Sequence, residues 1–170
     1  MSDLDSRAPD DAALAATAET LGEALRARGM RLAAAESCTG GWIAKLVTDV
    51  PGASDWFDRS FVTYSDQSKI DMLGVRAATL AAEGAVSESV VSEMAAGAKR
   101  LAACEAAVAV SGIAGPGGAT PGKPVGLVWF AWSLAERDWT ARREFRGDRA
   151  AVRRSAVDFA LQQLLDALTD

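Results

Sequence analysis

Histidine is absent from this chain of 170 residues, which removes the side chain that most often serves as a general base near neutral pH. Lysine is scarce, occurring at Lys45, Lys69, Lys99 and Lys123, so most of the basic residues are arginine. The two cysteines, Cys38 and Cys104, are too few for a disulfide scaffold and stand in no CxxC or zinc-ligand spacing. Without imidazole and with isolated thiols, no metal site is expected. No apolar stretch approaches the length of a membrane span, and Met1 to Asp11 is acidic and polar with no signal-like apolar region. The expectation is a soluble protein of a reducing compartment.

A basic face is missing as well. The net charge of −5 and the pI near 4.8 argue against nucleic acid as a partner, because neutralising phosphates requires clustered cations. With 49% apolar and 24% charged residues, the composition is that of an ordinary globular protein of one core. The expected organisation is a lead-in over residues 1–10, rich in Asp, Ser and Pro and disordered, followed by a single domain over residues 11–170.

Periodicity supplies the elements. Leu14, Ala18, Leu21 and Leu25 mark a helix over 12–28 that Gly29 stops, and the apolar run Leu32 to Ala35 reads as a buried strand. After Ser37-Cys38-Thr39-Gly40-Gly41 a helix is predicted over 42–50, a strand over 61–64, and short helices over 66–73 and 77–83. Ser87 is an N-cap candidate for a helix running to Ala102, followed by the buried strand 105–110. Two strands, 125–132 and 140–145, form a hairpin joined at 135–138, and a helix over 148–168 closes the chain. This order predicts an α/β fold, a three-layer α/β/α sandwich with a mixed, mostly parallel sheet.

Three segments could carry chemistry. Ser37 to Gly41 lies between a buried strand and a helix, so its backbone N–H groups, at Thr39, Gly40 and Gly41, could hold a phosphate or an oxyanion. The same residues also fit a simple helix cap. Cys38 is a rival nucleophile, a small buried core side chain being the plainer reading of it; successive residues leaving a strand point opposite ways, so only one of Ser37 and Cys38 should face a site. Downstream, Tyr64 is the sole tyrosine, and Lys69 follows five residues later. If Lys69 is buried, its ammonium loses hydration and it becomes a credible base for a serine, with Tyr64 relaying or donating the proton; a half-buried ring and a surface lysine is the plainer alternative. The third segment, Ser111 to Gly126, is a glycine- and proline-rich loop after a buried strand, where open α/β sheets bind ligands. Its Ser111, Gly112, Gly115, Gly117, Gly118, Thr120 and Lys123 are candidate substrate contacts. Arg149, near a helix start, is a further candidate. The five tryptophans leave a homo-oligomer open, since exposed ones would mark a dimer surface and core packing explains them equally well.

Together AESCTGGWIA, VPGASDWF, VTYSDQSK, the GAVS stretch and SGIAGPGGATPGKPVG resemble the CinA C-terminal domain family in order and spacing, over about residues 14–168. That family comprises nicotinamide-nucleotide amidases. The resemblance implies hydrolysis of nicotinamide mononucleotide to nicotinate mononucleotide and ammonia in pyridine-nucleotide recycling, by a cytoplasmic bacterial enzyme. It further implies an α/β/α fold, no metal, no cofactor, and catalytic roles for Ser37, Tyr64 and Lys69. Asp66 stands where the family usually has Asn, and Ala119 and Gly122 depart from its loop pattern. A different class also fits the same loops: a nucleotide- or phosphate-binding regulator without turnover, of the competence- or damage-inducible type.

Overall fold

Strands and helices alternate through most of residues 8–170, the part of the chain that the computed structural model describes. In order these are α1 (Asp11–Ala27), β1 (Leu32–Glu36), α2 (Trp42–Thr48), β2 (Phe57–Val62), α3 (Asp66–Leu73), α4 (Ala77–Glu83), α5 (Glu88–Ala102), β3 (Ala106–Gly112), β4 (Leu127–Leu134), β5 (Arg137–Glu144) and α6 (Arg149–Thr169). Residues 1–7 of the expected lead-in lie outside the described residues. Asp10, placed in that lead-in, is instead the N-cap of α1, its carboxylate accepting from the Ala13 N–H at 2.8 Å.

The sheet order is β2-β1-β3-β4-β5. The β2–β1 and β1–β3 pairs are parallel, and the β3–β4 and β4–β5 pairs antiparallel, so only β4 runs against the other strands. Side chains alternate across this sheet and divide the core in two. Leu32, Ala34, Val108 and Phe130 pack against α1, α2 and α6, whereas Ala33, Ala35, Ala107 and Ala109 pack against α5 with Leu73 of α3 and Leu80 of α4. The α/β/α layering therefore stands. The alanines on the second face let α5 lie close to the sheet. Gly97 of α5 lets the end of α3 come equally close on the other side, since a Cβ there would sit 2.1 Å from the Leu73 carbonyl oxygen.

Several boundaries differ from expectation, most of all at β2 and at the β4–β5 turn. β2 begins four residues earlier than predicted and ends at Val62, because its pairing with β1 starts at Phe57 opposite Leu32. The polar residues Asp58 and Arg59 are tolerated on this edge strand, and they masked the strand's alternation in sequence. Tyr64 thus lies in the link to α3. The β4–β5 turn is only Ala135-Glu136, since Leu134 pairs with Arg137, and Ala135 takes a left-handed φ of 50°. None of the tryptophans is exposed: Trp56 and Trp132 are buried, and Trp42, Trp129 and Trp139 half-buried. They give no support to a dimer surface.

Candidate active site

The C-terminal ends of β1 and β3, with α3 and the start of α6, converge on one cavity of about 190 Å³. Alternation along β1 decides which side chains reach it. Glu36 continues the face of Leu32 and Ala34 toward α2, so Ser37 turns to the opposite face, toward α3. Cys38 contributes to the cavity lining as well, but its side chain is buried and packs in the core with α1, α2 and α6. Burial there pushes its thiol up to about 12, which leaves the thiolate essentially unpopulated at neutral pH. Of the two rival nucleophiles, Ser37 alone has a partner suited to activate it.

That partner is Lys69. Ser65 caps α3 by accepting from the Ser68 N–H at 3.0 Å, and one turn on Lys69 points inward, 1% exposed. Its Nζ lies 3.1 Å from Ser37 Oγ, 2.8 Å from the Thr63 carbonyl oxygen and 3.4 Å from the Tyr64 carbonyl oxygen. Burial lowers the Lys69 pKa from its ordinary 10.5, while Asp66 and Cys38 oppose the shift. A neutral amine has two N–H bonds and one lone pair. With the N–H groups given to the two carbonyls, the lone pair is left for the Ser37 hydroxyl proton.

Tyr64 takes a different place from the relay expected of it. Its carbonyl, not its phenol, faces Lys69, and the phenol accepts from Arg149 Nη2 at 3.0 Å on a side chain 62% exposed. Arg149 Nη1 donates to the Gly115 carbonyl at 3.0 Å, tying the glycine-rich loop to α6. Tyr64, Arg149, Ser111 and Gly112 line the cavity with Ser37 and Lys69. Ser111 is held by donating to the Ala85 carbonyl at 2.8 Å.

Other candidates lie elsewhere. Gly117, Gly118, Thr120 and Lys123 do not line the cavity. Thr120 and Lys123 bond each other's backbones at 3.0 and 2.9 Å, and Lys123 Nζ donates to the Glu83 carbonyl. Gly40 and Gly41 line a separate cavity of about 590 Å³ beside Trp42 and Arg153. That cavity is larger, but it contains no nucleophile–base pair.

The expected oxyanion donors need correction. The Gly40 N–H donates to the Ser37 carbonyl at 3.1 Å and the Gly41 N–H to Glu36 at 3.1 Å, so neither is free for an oxyanion. Thr39 Oγ1 also donates to Glu36, at 2.7 Å. Only the Thr39 N–H of these three has no acceptor among the described residues.

Glu36 is the residue the sequence reading passed over. It is fully buried and accepts from Thr39 Oγ1, from the Gly41, Ile43 and Ala44 N–H groups, and from Ser60 Oγ, all within 3.1 Å. Its carboxylate is the N-terminal cap of α2, because the cap residue itself is Gly41, whose φ of +94° suits glycine and which has no side chain to bond. The signal was an acid at the end of an otherwise apolar buried strand. Ala85, Val86 and Ala114 were also missed as cavity wall. Ser87, the N-cap of α5, and the left-handed Gly84 before it set Ala85 and Val86 there.

Comparison with known proteins matches residues 14–168 to the CinA C-terminal domain model. The chain is 56% identical to the nicotinamide-nucleotide amidohydrolase PncC of Escherichia coli K12, over 91% of this chain and 94% of that protein. The protein of the same name from Pseudomonas putida is 49% identical, over 90% and 96%. Among solved structures, a competence-damaged protein (CinA) superfamily protein from Klebsiella pneumoniae superposes with a TM-score of 0.89 at 43% identity, covering 92% of this chain and 98% of that one.

Proposed function

The chain belongs to the CinA C-terminal domain family, and on that premise we propose that it is a nicotinamide-nucleotide amidohydrolase with Ser37 as nucleophile and Lys69 as its base. The observation that carries the mechanism is the buried contact of 3.1 Å between Lys69 Nζ and Ser37 Oγ in a protein without histidine.

Ser37 Oγ attacks the carboxamide carbon as its proton passes to Lys69, and the carbonyl π pair moves onto oxygen. When the tetrahedral intermediate collapses, the C–N bond breaks and Lys69 returns the proton to nitrogen, which leaves as ammonia. Water then attacks the acyl-enzyme ester, Lys69 takes a proton from it and gives it to the departing Ser37 Oγ, and the carboxylic acid released ionises to the carboxylate, its proton going to the ammonia or to solvent. Each round consumes one amide and one water. The pyridinium ring withdraws electrons from the amide and eases the first attack.

Of the cavity-lining residues only Lys69 and Arg149 carry positive charge. Since Lys69 is assigned to the chemistry, Arg149 at the rim serves the nucleotide phosphate, with Tyr64 beside it and Ser111 and Gly112 at the wall. The chain's acidic balance suits a small-molecule substrate rather than nucleic acid. Residues 11–170 acting as one amidase domain in the cytoplasm complete the proposal. No described helix is long and apolar enough to cross a membrane.

Purified protein incubated with nicotinamide mononucleotide should release ammonia and nicotinate mononucleotide in equal amounts. Binding of the mononucleotide by calorimetry without ammonia release would replace the enzyme by a nucleotide-binding regulator.

A further inference from the structure

From the larger cavity beside Gly40, Gly41 and Trp42, α6 sends Arg153 to two consecutive carbonyls. Its Nε donates to the Cys38 carbonyl at 2.9 Å and its Nη2 to the Thr39 carbonyl at 3.0 Å. The guanidinium also lies over the Trp42 ring, 5.3 Å from its centre, a cation–π contact that adds to its anchoring. Arg153 lines the cavity beside Gly40, Gly41 and Trp42 and takes no part in lining the Ser37 cavity.

The peptide joining Cys38 to Thr39 is trans, so its N–H points opposite to its C=O. With the C=O drawn toward Arg153, the Thr39 N–H is turned away from Arg153 and from the larger cavity that Arg153 lines. It has no acceptor among the described residues. The guanidinium charge on the carbonyl polarises the same peptide and strengthens its N–H as a donor. The two amides that follow are occupied, Gly40 by the Ser37 carbonyl and Gly41 by Glu36, while the Cys38 N–H, like that of Thr39, has no acceptor among the described residues.

We infer that Arg153 is a positioning residue that orients the Cys38–Thr39 peptide so that the Thr39 N–H donates to the oxyanion formed when Ser37 attacks. This inference rests on Ser37 being the nucleophile of an amide hydrolysis. The oxyanion exists only in the tetrahedral intermediate and the transition states flanking it, so the contribution belongs to kcat and not to substrate binding.

The test compares wild type, Arg153→Met and Arg153→Lys. Methionine keeps an unbranched apolar stem over Trp42 and removes the fork; lysine keeps charge and one donor. With nicotinamide mononucleotide, Arg153→Met should lose roughly 10- to 100-fold in kcat with KM within about threefold, and Arg153→Lys should recover part of that loss. The acylation burst with p-nitrophenyl acetate should fall in the same order. If Arg153→Met does not fold, a soluble Arg153→Lys with wild-type kcat overturns the inference. Unchanged kcat in Arg153→Met, or a rise in KM alone, overturns it too and leaves the amidase reading standing. A wild type that releases no ammonia yet acylates in an Arg153-dependent burst removes the nucleotide substrate and keeps the positioning role.

Discussion

Lys69→Met should lower kcat for ammonia release from nicotinamide mononucleotide by about 10²- to 10⁴-fold, the usual contribution of a positioned general base. Lys69 Nζ is the one basic nitrogen bonded to Ser37 Oγ among the described residues, and no histidine exists to replace it. Methionine nearly matches the lysine stem, so packing between α3 and β1 should survive and the loss should fall on chemistry. Lys69→Arg should be equally inactive, because a guanidinium does not give up its proton at accessible pH. The pH profile follows from burial. The active form is the neutral amine, so the rate should fall as pH drops through the lowered pKa of Lys69, and this acid limb should be missing from the residual activity of Lys69→Met. For stability the sign is the reverse of a salt-bridged lysine. With the folded value below the ordinary 10.5, the unfolded chain holds more protons between the two values, and stability rises with pH across that window. A Lys69→Met enzyme with wild-type kcat would remove lysine from the mechanism.

Glu36→Ala should destabilise the protein by about 3 kcal/mol or more, because several buried donors lose their acceptor at once. In a chain of this length that corresponds to a fall in Tm of roughly 10 °C. The Gly41, Ile43 and Ala44 N–H groups have no other acceptor at the start of α2, and Thr39 Oγ1 and Ser60 Oγ lose theirs. Glu36→Gln keeps the shape but aims an NH₂ at donors, so it should fall between wild type and Glu36→Ala. Thermal unfolding followed by circular dichroism measures both. A Glu36→Ala midpoint within about 2 °C of wild type would show that water satisfies these groups and that the carboxylate is not what holds the turn.

The layers and most helices could be read from periodicity because apolar spacing reports directly on a buried face. Helix α3 was placed correctly, with Ser65 before it and Gly74 after it. β2 was shifted because an edge strand tolerates polar residues, so its alternation is weak. At the site, a serine turn and a lysine five residues beyond the tyrosine could be picked out, but their convergence could not. The 3.1 Å contact depends on how far α3 leans over the end of β1, which no local pattern encodes. The same limit hid Arg153, separated from Cys38 by more than a hundred residues, and misplaced the oxyanion donors. Free-looking amides at Gly40 and Gly41 are assigned to a ligand in the sequence because their acceptor, Glu36, lies just beyond the apolar run Leu32 to Ala35 and carries no pattern of its own.

The central claim is that Ser37, activated by Lys69, is the nucleophile of an amidase that works without histidine. Ammonia release from nicotinamide mononucleotide by Ser37→Ala and Cys38→Ala, measured side by side, tests it most directly. Loss on the order of 10⁴-fold or more in Ser37→Ala, with Cys38→Ala within about threefold of wild type, is the predicted result. Full activity in Ser37→Ala, or loss confined to Cys38→Ala, would contradict it.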